Sequence, residues 1–201
     1  MEPESESPRM MPRPQSGYTD RMLSHPRIRH CRQCGQPVVY RVPQDDNRER
    51  AICGVCEHIH YENPLNVVGT IPVWEDRVLL CRRNIEPRHG FWTLPAGFME
   101  LGETTEAGAI RETDEEAGAR IELQGLFSLL NVVRAGQVHL FYRARRCDVQ
   151  FAPGPETIEV RLFAESEIPW NDLAFRTVRA TLEHFYEDRR RGSFGLHCGD
   201  I

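Results

Sequence analysis

Seven residues in one window have types and spacing that can support metal chemistry. They follow the pattern G-x5-E-x7-R-E-x-x-E-E-x-G and are Gly97, Glu103, Arg111, Glu112, Glu115, Glu116 and Gly118. A helix places residues at i, i+3 and i+4 on one face, so three carboxylates converge there. Crowded carboxylates repel one another in water, but they ligate hard cations such as Mg²⁺ or Mn²⁺. The window predicts a divalent-metal site, with a solvated acidic helix face as the alternative.

The ends of this helix can be located from the residues that flank the carboxylates. Thr104 is expected to be the N-cap, because a threonine hydroxyl accepts a free N–H of the first turn, and Glu106 suits that turn electrostatically. Gly118 is the expected residue after the last turn, where glycine adopts the left-handed conformation without steric cost. The predicted helix therefore carries Glu112, Glu115 and Glu116.

The window resembles the Nudix box of the Nudix hydrolases, which cleave nucleoside diphosphates linked to another moiety. All seven fixed positions match, whereas Thr113 and Ala119 occupy two positions that are aliphatic in the family. The resemblance implies that Glu112 and Glu116 are the principal metal ligands, with Glu115 joining them or orienting the attacking water. It also implies that the carbonyl of Ala96 completes the metal shell.

Further roles follow from the same resemblance. Arg111 and Glu103 would pair to hold the loop and the helix in register, and Gly97 and Gly118 would shape the box. Related enzymes with a zinc ribbon take a further base or ligand from a glutamate just before a late strand. Glu156 has that position, and Glu159 is the fallback. The alternative for both is a loop carboxylate that contacts no metal.

A second signal lies upstream, where two CxxC pairs are separated by 18 residues: Cys31, Cys34, Cys53 and Cys56. This is zinc-ribbon spacing. Four thiolates close a tetrahedral site and leave no position for substrate, so the predicted Zn²⁺ is structural. The alternatives are disulfides or an iron–sulfur site. His58 and His60 follow the last pair and are expected to face solvent.

Composition excludes several other classes of site. The net charge is −5 and all 25 basic residues are arginines, so neither a Schiff-base lysine nor a Walker A lysine exists. The chain also lacks GxGxxG, GxSxG and HExxH motifs. No apolar run approaches 18 residues, and Glu2, Glu4 and Glu6 oppose a signal peptide. We therefore expect a cytoplasmic protein without a membrane partner.

Hydrophobic periodicity predicts a mixed α/β fold. The predicted elements are strands at Val67 to Trp74, Val78 to Cys81, Ile121 to Val133, Val138 to Arg143 and Ile158 to Phe163, and a final helix from about Asp172 to Arg189. The Nudix resemblance adds an α/β/α sandwich with a mixed sheet. The expected organisation is a disordered segment at 1–27, a zinc ribbon at 28–62 and a Nudix domain at 65–201.

From Cys31 to Ile201 the chain is similar to bacterial Nudix hydrolases that carry an N-terminal zinc ribbon. A plant chloroplast group of the same layout acts on FAD and ADP-ribose, which favours a small nucleotide substrate of that kind, and a homodimer is expected by analogy. NADH pyrophosphatases share the layout, but their S-Q-P-W-P-F-P signature is absent. Arg134 replaces the proline that marks many ADP-ribose pyrophosphatases.

Two other functions remain open at this level. One is a binding module for RNA or protein, in which the arginines around the ribbon contact phosphates and the Nudix domain is inactive. The complete set of glutamates and the acidic net charge argue against this module, so a nucleic-acid partner is not expected. The other is a pyrophosphohydrolase acting on NADH or capped RNA, which differs in substrate rather than mechanism.

Overall fold

The computed structural model describes residues 27–201, so the disorder predicted for the N-terminal segment concerns residues outside this range. A small antiparallel sheet is formed by strands β1 (Val38–Arg41), β2 (Arg50–Cys53) and β3 (Ile59–His60) in the order β1-β2-β3. Cys31 and Cys34 precede β1, Cys53 is the last residue of β2, and Cys56 lies in the turn that follows β2. No β-pairing joins this small sheet to the larger sheet within the described part of the chain.

The remaining residues form an eight-stranded mixed sheet and two helices. The elements are β4 (Leu65–Trp74), β5 (Arg77–Arg83), β6 (Trp92–Thr93), β7 (Ala96–Phe98), α1 (Thr105–Ala117), β8 (Ile121–Val132), β9 (Gln137–Arg146), β10 (Thr157–Phe163), α2 (Arg176–Arg191) and β11 (His197–Asp200). The strand order is β10-β5-β4-β9-β8-β11, with β6 paired to β5 and β7 to β4. The pairs β4–β9 and β8–β11 are parallel and the others antiparallel.

The two helices cover opposite faces of the sheet. Alternate strand residues point to the two faces, where they pack against α2 on one side and α1 on the other. Helix α2 buries Val178, Leu182 and Phe185 in the larger core with Ile71 and Phe141. Ala109 and Ala117 of α1 pack in two smaller clusters, against Val68 and Tyr142 and against Leu79 and Cys81 respectively. The predicted α/β/α sandwich with a mixed sheet is confirmed. No helix within residues 27–201 is long and apolar enough to span a membrane.

Several element boundaries differ from the sequence prediction. Helix α2 begins at Arg176 rather than Asp172, because Trp170–Asp172 form a 3₁₀ turn and Leu173 packs against the larger core before the helix starts. The short strands β6, β7 and β11 were not predicted. Strands of two to four residues contain too few positions for a periodic pattern, and only their pairing partners define them.

His139 on β9 is a buried titratable side chain away from the acidic window. Its Nε2 atom lies 2.9 Å from the Gln137 amide oxygen, while its Nδ1 atom has no partner among the described residues. Burial lowers the pKa of His139 to about 4 from its ordinary value near 6.5. The folded protein thus favours the neutral ring, whereas the unfolded chain takes up a proton between these two values.

We expect His139 to lower the free energy of unfolding of the protein as the pH falls from 6.5 towards 4. In that window the unfolded chain binds more protons, so stability rises with pH. Between pH 7 and pH 5 this residue should lower the free energy of unfolding by about 2 kcal/mol. Urea unfolding of the wild type and of His139→Gln at both pH values measures it. Equal losses of stability in the two proteins would contradict the prediction.

Candidate active site

Helix α1 has the ends predicted from its flanking residues. The Thr104 side chain accepts the Ala107 N–H at 3.1 Å and caps the first turn. At the other end Gly118 has φ +56°, a left-handed conformation that suits glycine, and its N–H donates to the Asp114 carbonyl. The buried face of the helix includes Thr113. Its hydroxyl donates to the Ala109 carbonyl and lies 2.6 Å from that of Thr70, so the polar side chain is satisfied inside the core.

Arg111 connects the helix to the preceding loop through charge-assisted hydrogen bonds. Its Nε and Nη2 atoms donate to the two oxygens of Glu103 at 3.0 and 2.9 Å, a bidentate arrangement. This contact lowers the pKa of Glu103 to about 2. The Nη1 atom donates to Glu112 at 2.8 Å and to Glu115 at 2.9 Å. The predicted pairing of Arg111 with Glu103 is present, and it extends to two further carboxylates.

Glu116 is the most enclosed of the three helix glutamates, with 8% of its surface exposed. Its Oε2 atom accepts the Ala96 N–H at 3.0 Å, which places the carboxylate against β7. No arginine lies within ion-pair distance of it in the described chain. Burial raises the pKa of Glu116 to about 8, and the charges of Glu112 and Glu156 add to that effect.

Glu112 lies beside β7 at a position where a side chain would not fit. A Cβ atom at Gly97 would come within 2.3 Å of the Glu112 carboxylate. Burial raises the pKa of Glu112, and so do the charges of Glu115 and Glu156, while Arg111 opposes them. Glu115 itself is 57% exposed and turned towards Arg111. Glycine at position 97 is thus required by the approach of a carboxylate rather than by backbone strain.

Replacement of Gly97 by alanine is expected to disturb the site more than the fold. The added methyl group would displace the end of the flexible Glu112 side chain, which can move without shifting the backbone. We expect turnover to fall at least about tenfold with a small change in the thermal midpoint, since misplacing a reacting group by about 1 Å can cost 10²-fold. Gly195→Ala is the matched control, because a Cβ atom there meets no neighbour within 4 Å. A variant that kept wild-type kcat would contradict the assigned role of Gly97.

The loop before β10 brings Glu156 to the same region. Its backbone is tied to α1, since the Gly154 N–H donates to the Glu116 carbonyl at 3.1 Å. It is also tied to the end of β5, where the Asn84 N–H donates to the Glu156 carbonyl at 2.8 Å. Glu156 raises the pKa of both Glu112 and Glu116, whereas Glu159 lies 3.9 Å from Arg82. Of the two candidates, Glu156 is the one whose charge acts on the helix glutamates.

Gly154 is a residue that the sequence analysis missed. A Cβ atom there would lie 1.8 Å from the Glu115 carbonyl, so only glycine lets this loop touch the helix. The signal is not visible in the sequence, because Gly154 and Glu115 are brought together only by the tertiary fold. This backbone contact sets the distance between helix α1 and the loop that carries Glu156.

The donor set fits a divalent cation of the Mg²⁺ or Mn²⁺ kind. Glu112, Glu116 and Glu156 supply hard oxygen atoms, and the buried Glu116 has no arginine within ion-pair distance among residues 27–201. A bound cation would offset the charge that these carboxylates impose on one another. The helix glutamates are not gathered as tightly as the cysteines, which form the one set of three or more metal-type ligands converging within 4.8 Å in residues 27–201.

That set consists of Cys31, Cys34, Cys53 and Cys56. The sulfur atoms of neighbouring pairs are 3.4 to 3.6 Å apart, and all the cysteines are free thiols, so disulfides are excluded here. A tetrahedron with Zn–S bonds of about 2.3 Å has edges of about 3.8 Å, close to this arrangement. The N–H groups of Val55 and Cys56 donate to the Cys53 sulfur at 3.4 Å, which favours a thiolate.

The histidines beside the cysteines differ in exposure. His58 is exposed as predicted, but His60 is only 5% exposed, so the prediction that it faces solvent is wrong. The two rings meet edge to face with centroids 4.6 Å apart. The position of His60 in β3 turns its side chain into the small core of the ribbon, where its Nε2 atom has no partner among the described residues.

Comparison with known proteins agrees with this geometry. The family model of the NUDIX domain matches residues 64–187, and the model of the Nudix N-terminal zinc ribbon matches residues 29–62. The crystal structure of a NUDIX hydrolase from Nitrosomonas europaea is 49% identical, with a TM-score of 0.84. That similarity covers 87% of this chain and 99% of the other.

Curated relatives match over shorter segments. The NAD-capped RNA hydrolase NudC of Vibrio parahaemolyticus is 34% identical over 97 residues, 47% of this chain and 35% of that protein. The ADP-ribose pyrophosphatase of Methanocaldococcus jannaschii is 35% identical over 69 residues, 34% of this chain and 41% of that protein. The chain thus spans less than half the length of these relatives.

Proposed function

We propose that this chain, which belongs to the NUDIX domain family, hydrolyses the diphosphate bridge of a nucleoside diphosphate linked to another moiety and releases a nucleoside monophosphate. The observation that carries the proposal is the buried Glu116 carboxylate, whose pKa is raised by burial and by the charges of Glu112 and Glu156, and which has no arginine within ion-pair distance among residues 27–201. Carboxylates in this state favour a divalent cation. A cation held there would offset the negative charge of the diphosphate and lower the pKa of a water.

The protein residues contribute position and proton transfer. Arg111 orients Glu112, and the Ala96 N–H orients Glu116, so both carboxylates are fixed before substrate arrives. In the proposed reaction a water oxygen attacks one phosphorus, the P–O bond to the bridging oxygen breaks, and a carboxylate accepts the proton of the water. We assign that last role to Glu156 or Glu115, and Glu156 has no arginine within ion-pair distance in the described chain.

For the substrate we favour FAD or ADP-ribose. The ADP-ribose pyrophosphatase among the relatives supports this choice, as does the similarity to Nudix hydrolases with the same zinc-ribbon layout. NAD-capped RNA is the second candidate, because relatives named for that activity also match. The two candidates share the diphosphate bridge and differ in what lies beyond it.

A substrate panel decides between these candidates. We would measure AMP release from FAD, ADP-ribose and NADH, and cleavage of NAD-capped and triphosphate RNA, each with Mg²⁺ or Mn²⁺. Preference for FAD or ADP-ribose by kcat/KM supports the first candidate, and preference for NAD-capped RNA supports the second. Absence of hydrolysis with every compound and both metals would overturn the proposed function and favour a binding module.

The sequence-based expectations about metal, location and assembly stand as parts of this proposal. We propose Mg²⁺ or Mn²⁺ at the glutamates, Zn²⁺ at the cysteines, a cytoplasmic location and a homodimer. Light scattering of the purified full chain measures the oligomeric state. Elemental analysis of the same sample measures zinc.

A further inference from the structure

Arg83, the last residue of β5, is a cation enclosed beside the glutamates. Only 9% of its surface is exposed, yet no carboxylate lies within 4.0 Å of its guanidinium group in residues 27–201. Enclosed arginines are normally paired, because removing a charge from water is unfavourable unless an opposite charge compensates it. No carboxylate at ion-pair distance therefore offsets the charge of Arg83, and a bound anion would do so.

The contacts that fix Arg83 leave part of its guanidinium free. Its Nε atom donates to the Pro87 carbonyl at 2.9 Å, and its Cζ atom lies 5.0 Å from the centre of the Phe175 ring. Neither Nη nitrogen has a hydrogen-bond partner among residues 27–201. The group is thus held through Nε and through one face against the Phe175 ring, while both Nη nitrogens remain available as donors. This is a pre-organised fork of the kind that binds phosphate oxygens.

The fold places this fork at the candidate active site. Arg83 pairs across the sheet with Thr157, which directly follows Glu156. The next residue, Asn84, donates from its backbone and its side chain to the loop that carries Glu156. Burial raises the pKa of Glu116, and the positive charge of Arg83 lowers it, so the two groups are close enough to interact.

We propose that Arg83 is a phosphate-binding residue of this site, whose Nη nitrogens donate to the diphosphate of the substrate. The inference rests on the proposed function and adds a second arginine to the site, one that has no carboxylate within ion-pair distance, whereas Arg111 is already paired with glutamates. A substrate diphosphate would meet divalent cations on the glutamate side and Arg83 on the β5 side. The charge of the phosphate, rather than a base or sugar, is what this residue would recognise.

The competing role is purely structural, since Arg83 also anchors the loop at Pro87. Two substitutions separate these roles. Arg83→Gln places an amide nitrogen where Nε stands and can keep the bond to the Pro87 carbonyl, but it lacks the charge and both Nη donors. Arg83→Lys keeps the charge and loses the planar donor set. Arg77→Met is the matched control, because Arg77 lies at the other end of the same strand in an exposed pair with Glu167.

The experiment measures binding of imidodiphosphate, a non-hydrolysable analogue of the bridge, to the full chain with Mg²⁺ by calorimetry. We expect Arg83→Gln to weaken binding about tenfold or more, as for the loss of a hydrogen bond between charged groups, with an intermediate effect for Arg83→Lys and none for Arg77→Met. With ADP-ribose or FAD as substrate, KM should rise in the same order. Thermal midpoints show whether each variant is folded.

Two results would overturn the inference: wild-type affinity for imidodiphosphate in Arg83→Gln, or no binding by the wild type. A loop anchor predicts the first result, because the glutamine preserves the contact with Pro87. Failure of the proposed function can be told apart from failure of this inference, since the wild type would then hydrolyse no compound of the substrate panel. Imidodiphosphate binding that depends on Arg83 would still support the phosphate site.

Discussion

Glu116→Gln is expected to lower kcat by about two to three orders of magnitude while the protein remains folded, a loss typical for removing one preorganised electrostatic group. Glutamine keeps the shape of the side chain and can still accept the Ala96 N–H. It removes the negative charge through which Glu116 would hold a divalent cation. Since burial already disfavours that charge in the cation-free protein, stability should be unchanged or slightly increased.

The matched control for this substitution is Asp114→Asn on the same helix. Asp114 is exposed, and its contribution to the helix end is its backbone carbonyl, which the substitution preserves. Steady-state AMP release gives kcat, and isothermal titration with Mn²⁺ gives metal affinity. We expect both to fall in Glu116→Gln and to remain normal in Asp114→Asn. Near-normal turnover in Glu116→Gln would show that the assigned ligand is wrong.

Cys53→Ser is expected to release one equivalent of zinc and unfold the ribbon at residues 28–62. Cys53 is fully buried, and its sulfur accepts two N–H groups, so a serine oxygen would replace the most enclosed of the four ligands. Structural zinc sites supply about 10–16 kcal/mol of binding free energy in zinc-finger peptides, more than so small a core can replace. The eight-stranded domain should stay folded, since no strand pairing connects it to the ribbon in the described chain.

Hydrogen exchange resolves these two parts of the protein separately. In Cys53→Ser the amides of β1, β2 and β3 should lose protection, while those of β4 and β9 keep it. Cys147→Ser is the control, because Cys147 is an exposed free thiol outside the cluster. Stoichiometric zinc in purified Cys53→Ser would rule out the four-cysteine site as proposed.

The sequence predicted the parts of the molecule that local chemistry specifies. The sequence predicted both ends of helix α1 at the residues where the structure has them, because Thr104 and Gly118 are residue types that cap the two ends of a helix. The zinc ribbon was recognised because ligand spacing within a CxxC turn is itself a local property. Helix α2 was placed four residues too early, since the packing of Leu173 against the core, rather than helix periodicity, decides where the chain turns.

The sequence by itself therefore determined the family, the helix that carries the three glutamates, the ribbon and the mixed α/β class, all of which depend on residues close together in the chain. Only the tertiary structure decided that the charge of Glu156 acts on Glu112 and Glu116, that Gly154 must be small, that His60 is buried and that Arg83 is enclosed. Each of these depends on contacts between residues far apart in the chain. Burial and the pairing of charges are properties of such contacts, so no local pattern records them.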